Sequence, residues 1–162
     1  MSINRIIINS SPLIVLFKSQ QAELLPQLFA EILVPSGVFE EVTIAGEDDA
    51  ASRQLPRVSW IQRVEMTTIA PEVAAWDLGN GESQVLSLAL KTLDCAAIVD
   101  DRAARRCGQV LGITTIGTGG ILIRAKRRGL IKSVSEGIEA LRDAGLWLSD
   151  NVVNLLKQQA GE

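Results

Sequence analysis

The sequence contains no histidine and no tyrosine. Without histidine, Ser-His-Asp triads, imidazole acid–base catalysis and His-ligated zinc are excluded. Cysteine is scarce. Cys95 and Cys107 form no CxxC spacing and are expected to be reduced, buried thiols rather than a functional pair. No apolar run approaches the roughly 20 residues that a membrane span needs. The opening "MSINR" lacks a secretory layout, because its basic residue is followed by only a short apolar run. A cytoplasmic protein with no membrane contact is therefore expected, and its chemistry is left to carboxylates, hydroxyls, basic groups or a bound metal.

What is present is a substantial core. Hydrophobic residues make up 47% of 162 residues, enough for one domain spanning residues 1–162. The net charge of −3 hides an uneven distribution. Residues 101–132 hold eight of the 16 basic residues, Arg102, Arg105, Arg106, Arg124, Lys126, Arg127, Arg128 and Lys132, with Asp101 as the one acid among them. Such asymmetry suits a polyanion or an acidic partner, and equally suits solvated helix faces.

Short apolar runs alternate with helical periodicity. "RIIIN", "EILVP", "VSWIQRVEM", "CAAIV" and "ITTI" read as strands. Ser10 or Ser11 is expected to cap the helix after the first, with Pro12 in its first turn. "QAELLPQLF" is amphipathic and interrupted near Pro26. "SGVFEEVTIAG" reads as a helix capped by Ser36 and ended by Gly46. Residues 47–57 are polar and are expected to form an exposed helix or loop, and "APEVAAWDLGNG" suits a helix or a loop. Further helices follow in "GESQVLSLALKTL", in "DDRAARRCGQVLG" closed by Gly112, and in "GTGGILIRAKRRG" ended by Gly129. "SVSEGIEALRDAG" and "SDNVVNLLKQQ" complete the chain with Ser-capped helices. The alternation predicts a three-layer α/β/α sandwich around a short-stranded, mainly parallel sheet.

Open parallel sheets bind ligands beyond the carboxyl ends of their strands. There the sequence places Asn9, Ser10 and Ser11, then Asp100 and Asp101, then Gly117 and Thr118, with Glu82, Glu40 and Glu41 on nearby helices. Hard divalent cations prefer such oxygen-rich sets, and a cation supplies phosphodiester hydrolysis without histidine. Each residue also has a plainer use. "DD" opening a helix caps free N–H groups, Glu82 suits a first helical turn, Glu40 and Glu41 suit a solvated face, and the serines suit caps. "GTGG" can cradle a phosphate, but lacks the lysine that a P-loop places after its glycines.

Six blocks, "NSSPLI", "VPSGVFEEV", "GNGESQVLSLAL", "IVDDRAARRCGQVLGI", "GTGGILIRAKRRGLI" and "ALRDAGLWLSD", together resemble a prokaryotic group of PIN-domain-like proteins. That group is related to VapC-type toxins and often sits in toxin–antitoxin-like gene pairs. The resemblance implies a Mg²⁺- or Mn²⁺-dependent endoribonuclease with acidic residues at the carboxyl edge of the sheet. By position these fall on Glu41, Glu82 and Asp101, with Asp100 beside the last and Thr118 as a polar helper. The first-strand acid falls on Asn9, a position often Asn in the related group. An amide oxygen ligates but carries no charge, so the alternative implied is a catalytically weak or inactive RNA- or protein-binding module. Arg102, Arg105, Arg106, Arg124, Lys126, Arg127 and Lys132 are then expected to hold RNA phosphates or a cognate antitoxin. Aromatics amount to 4%, so base stacking is expected to be minor. The resemblance also implies a homodimer. Leu146, Trp147 and Leu148 suit an interface or core packing, and core packing is the expectation.

Overall fold

The computed structural model describes residues 3–44 and 47–162. Its centre is a five-stranded, wholly parallel sheet in the order β3-β2-β1-β4-β5. The strands are β1 (Arg5–Ile8), β2 (Glu31–Pro35), β3 (Ile61–Val64), β4 (Cys95–Ile98) and β5 (Thr115–Ile116). Successive strand residues point to opposite faces. Ile6, Ile7 and Ile8 are nonetheless all sealed from solvent, as are Ala96, Ala97 and Ile98. Both faces of the sheet are therefore covered by helices, which is why these strands read as unbroken apolar runs instead of alternating ones. The α/β/α sandwich expected from the sequence is the fold.

Among the described residues ten α-helices surround the sheet, seven between its strands and three after β5. They are α1 (Ser10–Lys18), α2 (Leu24–Leu28), α3 (Ser36–Thr43), α4 (Ala50–Gln54), α5 (Pro71–Ala74), α6 (Asn80–Leu90), α7 (Arg102–Val110), α8 (Thr118–Arg127), α9 (Val134–Asp143) and α10 (Asp150–Gln159). α6 packs across β1, β2 and β4, and α7 lies against α6 and β5. α8 packs on α2, α9 and α10. The predicted stops at Gly112 and Gly129 both have φ +75°. The predicted stop at Gly46 lies outside the described residues.

Several expectations change. Neither Ser10 nor Ser11 caps α1; the cap position is Asn9, and its side chain makes no capping bond. Ser36 does not cap α3 either, since Pro35 holds that position and Ser36 Oγ instead accepts from Met66 N at 3.0 Å. Pro26 sits within the single short helix α2. Residues 47–57 are not uniformly exposed: Asp49 forms a capping box with Ser52, and the turn so fixed buries Ala51 and Leu55. "ITTI" supplies only a two-residue strand. Trp147 is 83% exposed and not in the core, while Leu146 and Leu148 on either side pack partly against it.

The chain runs β1, β2, β3 toward one edge, then returns to add β4 and β5 on the other side of β1. The strand order thus reverses between β1 and β4, and a crevice opens beyond their carboxyl ends. Asn9 leaves β1 there and Asp100 follows β4.

Candidate metal centre

Asn9 is held by its backbone. Its N–H donates to Ile98 O at 3.1 Å, continuing the β1–β4 ladder one residue past the strand, and its carbonyl accepts from Leu13 N at 3.3 Å. Extended dihedrals (φ −82°, ψ 167°) turn the chain into α1. An Asn in this position ordinarily accepts an N–H of the first turn through its side chain. Here it does not. The residue is 3% exposed, and its Oδ1 is a fully buried acceptor without a partner among the described residues. Leaving such an acceptor unsatisfied costs about 1–3 kcal/mol.

The unpaired oxygen faces a small space beside Glu41. A Cβ placed on Gly81 would lie 2.9 Å from Asn9 Oδ1 and 2.9 and 3.0 Å from the two Glu41 carboxylate oxygens. The glycine in the first turn of α6 therefore leaves open a cradle between an amide oxygen and a carboxylate. Ser10 Oγ donates to Glu41 Oε2 at 2.9 Å, which fixes the carboxylate on the α1 side. Of the tandem glutamates on α3, Glu40 turns outward to Arg63 at 3.4 Å and Glu41 turns inward. Gln84 braces this corner by accepting from Gly37 N at 2.8 Å.

The other candidate acids are arranged differently. Asp100 is gripped by Thr118: Oδ1 accepts from Thr118 N at 2.8 Å and Oδ2 from Thr118 Oγ1 at 2.6 Å. Thr118 is fully buried, so this pair ties the end of β4 to the start of α8. Asp101 is exposed and caps α7, accepting from Ala104 N at 2.9 Å through Oδ2. Glu82 folds back over the N-terminus of its own helix, where a Cβ on Gly79 would lie 2.6 Å from its Oε2. Ser11 is exposed. Among the described residues no three Asp, Glu or Cys side chains gather as metal ligands. The structure brings together Asn9, Ser10 and Glu41, and separately Asp100 with Thr118. Burial pushes the thiols of Cys95 and Cys107 up from their ordinary range, so neither is a poised nucleophile.

A divalent cation fits the first group by its chemistry. The donors are hard oxygens, one carries charge, one lacks any other partner among the described residues, and the space between them is kept clear by a glycine. Gly81 was not identified from the sequence. Its signal was present as the second residue of "NGES", a helix-opening position where glycine is a poor helix former.

The basic residues divide. Arg105 reaches back over the chain, with Nη1 3.5 Å from Val99 O, and converges with Asp100 on Gly117, where a Cβ would lie 2.7 Å from Arg105 Nη1 and 3.3 Å from Asp100 Oδ1. Arg102, Arg105, Arg124 and Arg127 line a groove of about 950 Å³ that begins at Asp100. Arg106 borders a smaller hollow with Arg102 and Arg105. Lys126 is drawn away into an ion pair with Glu162 at 2.7 Å, and Arg128 donates to Gln27 O at 3.4 Å. Among the described residues no helix is long and apolar enough to cross a membrane.

Comparison with curated proteins gives no match. Among solved structures, a PilT N-terminus domain protein of the archaeon Sulfolobus solfataricus P2 is similar at 13% identity and a TM-score of 0.44, over 90% of this chain and 97% of that one. A family model described as a PIN domain (DUF3368) matches residues 5–162. A parallel sheet with its crevice at the β1–β4 reversal, matched almost end to end by that family, places the chain in the DUF3368 family of PIN domains, a nuclease-type module.

Proposed function

We propose that the chain is a divalent-metal-dependent endoribonuclease and, as its resemblance to VapC-type proteins implies, the toxin half of a toxin–antitoxin pair. The observation that carries the metal reading is the buried, partnerless Oδ1 of Asn9 facing Glu41 across Gly81. Asn9 and Glu41 would hold Mg²⁺ or Mn²⁺, with Ser10 orienting the carboxylate. When bound, such a cation would supply Lewis-acid stabilisation of charge on a phosphodiester and activate water in a chain that has no imidazole base. Thr118 holds Asp100 just past β4, the strand paired with the one that Asn9 follows. Arg102, Arg105, Arg124 and Arg127 offer guanidinium forks to the phosphates of a bound strand.

A second reading, a PIN-type binding module with little cleavage, is favoured by one observation. The Asp101 carboxylate is used to cap its own helix α7, and Asn9 contributes no charge.

The deciding experiment is cleavage of a mixed RNA pool with Mg²⁺, Mn²⁺ or EDTA, beside Asn9→Asp, Glu41→Gln and Asp101→Asn. Cleavage by the parent with metal, lost in Glu41→Gln, is the expected result. Cleavage by Asn9→Asp alone would instead assign the parent to the binding module. Tm in rising Mn²⁺ gives a readout independent of turnover: a ligand at 100 times its Kd stabilises by about 2.7 kcal/mol. Asn9→Ala is expected to remove that rise, and an undiminished rise in it would overturn the Asn9 ligand.

A further inference from the structure

The 950 Å³ groove runs from Asp100 and Gly117 along α8 to α10, and Trp147 stands on its wall. The placement follows from the chain. α9 ends in a turn at Gly145, whose φ of +108° suits glycine, and Leu146 N closes that turn onto Leu141 O at 3.0 Å. Arg142 Nη2 then donates to Leu148 O at 2.8 Å and pins the following segment. Leu146 and Leu148 pack partly against the core, so the intervening Trp147 faces outward. Its indole stacks on no other ring among the described residues; the stacked pair there is Phe17 with Trp60.

Four arginines and one carboxylate line the end of the groove toward α7 and α8, that carboxylate, Asp100, being occupied by Thr118, while Leu146, Leu148, Val152, Leu155 and Leu156 form an apolar wall beside the indole. An unpartnered aromatic in a basic groove is the combination that holds single-stranded nucleic acid, the rings stacking on bases and the guanidinium groups tracking phosphates. The groove includes Asp100, which follows the β-strand beside the one that Asn9 follows, so a nucleic-acid strand lying in it runs along the same carboxyl edge of the sheet.

We infer that Trp147 is a base-stacking platform for single-stranded RNA, flanking the crevice and setting which phosphodiester is presented there. The inference rests on the ribonuclease reading for its ligand, but binding is measured apart from cleavage. A short single-stranded oligoribonucleotide is titrated into the protein in EDTA, following tryptophan fluorescence, with Trp147→Leu and Trp147→Phe alongside. Trp147 is exposed, so both variants are expected to fold. The expected result is quenching in the parent, about tenfold weaker binding in Trp147→Leu, and an intermediate loss in Trp147→Phe. Equal affinity of parent and Trp147→Leu, measured by anisotropy of the labelled strand, overturns the platform. So does absence of RNA binding by the parent while an acidic amphipathic peptide quenches Trp147, which makes the groove a protein-docking surface. Metal-dependent cleavage with the platform absent leaves the nuclease reading standing, and RNA stacking on Trp147 without cleavage does the reverse.

Discussion

Gly81 carries a side-chain-sized consequence although it has no side chain. In an ordinary first helical turn, Gly→Ala stabilises, by up to about 1 kcal/mol. Here the added methyl meets Asn9 Oδ1 and Glu41 at 2.9 Å. Gly81→Ala is therefore expected to fold with a Tm close to the parent's, the helix gain offset by the crowding, but to lose the Mn²⁺-dependent rise in Tm. The metal titration separates this from general damage, and a full rise in Gly81→Ala would mean that the space is not where the cation sits. The same residues mark what the sequence could not convey. "INSSPLI" announced a strand and a helix start, and Asn9 stood out as a substituted acid. Only the three-dimensional arrangement reveals that its oxygen is buried without a partner while Ser10 is spent on Glu41. Asp101 and Glu82 likewise suited both ligand and cap, and the structure gives each a place at its own helix N-terminus.

Helices and strands were most legible where one local rule acted alone. "RIII" and "CAAI" are strands because burial on both faces demands continuous apolar residues. Ser133 and Ser149 cap α9 and α10 through N–H groups three residues ahead, as their positions suggested. Legibility failed where distant partners decide, as with Ser36, which is taken by Met66, two residues past β3. The fastening of α9 and α10 is another such case. Glu162 Oε2 accepts from Lys126 Nζ and Val134 N, both at 2.7 Å, and Oε1 accepts from Ser135 Oγ at 2.7 Å and Ser135 N at 3.1 Å. The Lys126 bond above all, then those from Ser135 and Val134, holds this carboxyl well below the usual carboxylate range. A depressed folded pKa gives stability that is present above the unfolded value of 4.5 and lost as pH falls toward the folded one. Glu162→Gln is therefore expected to lower Tm at neutral pH and to flatten the fall in Tm between about pH 5 and 3. Parallel Tm profiles for parent and variant across that window would mean that the latch does not couple folding to protons.

For the molecule as a whole, net charge and local field point in opposite directions. A chain of net charge −3 repels RNA at long range, yet four guanidinium groups meet in one groove with a single, already bonded carboxylate. Close phosphate contacts dominate when a Debye length is about 8–10 Å, so binding is governed by the groove and not by the total. For single strands, each neutralised phosphate contributes about −0.7 to the slope of log K against log salt. Four contacts give a slope near −2.8, and removal of one is expected to reduce its magnitude by about 0.7. Arg102→Ala and Arg127→Ala are the informative variants, since both side chains are exposed and neither has the Val99 contact that gives Arg105 a structural part. Arg53→Ala serves as the control, because Arg53 lies on α4, outside the groove and paired with Asp48. Affinities for a short single-stranded RNA in EDTA, measured across a salt series, are expected to give the parent's slope in Arg53→Ala and shallower slopes in the two groove variants. If all three variants shift alike, the strand senses only net charge, and the arginines of α7 and α8 are solvated faces rather than phosphate contacts.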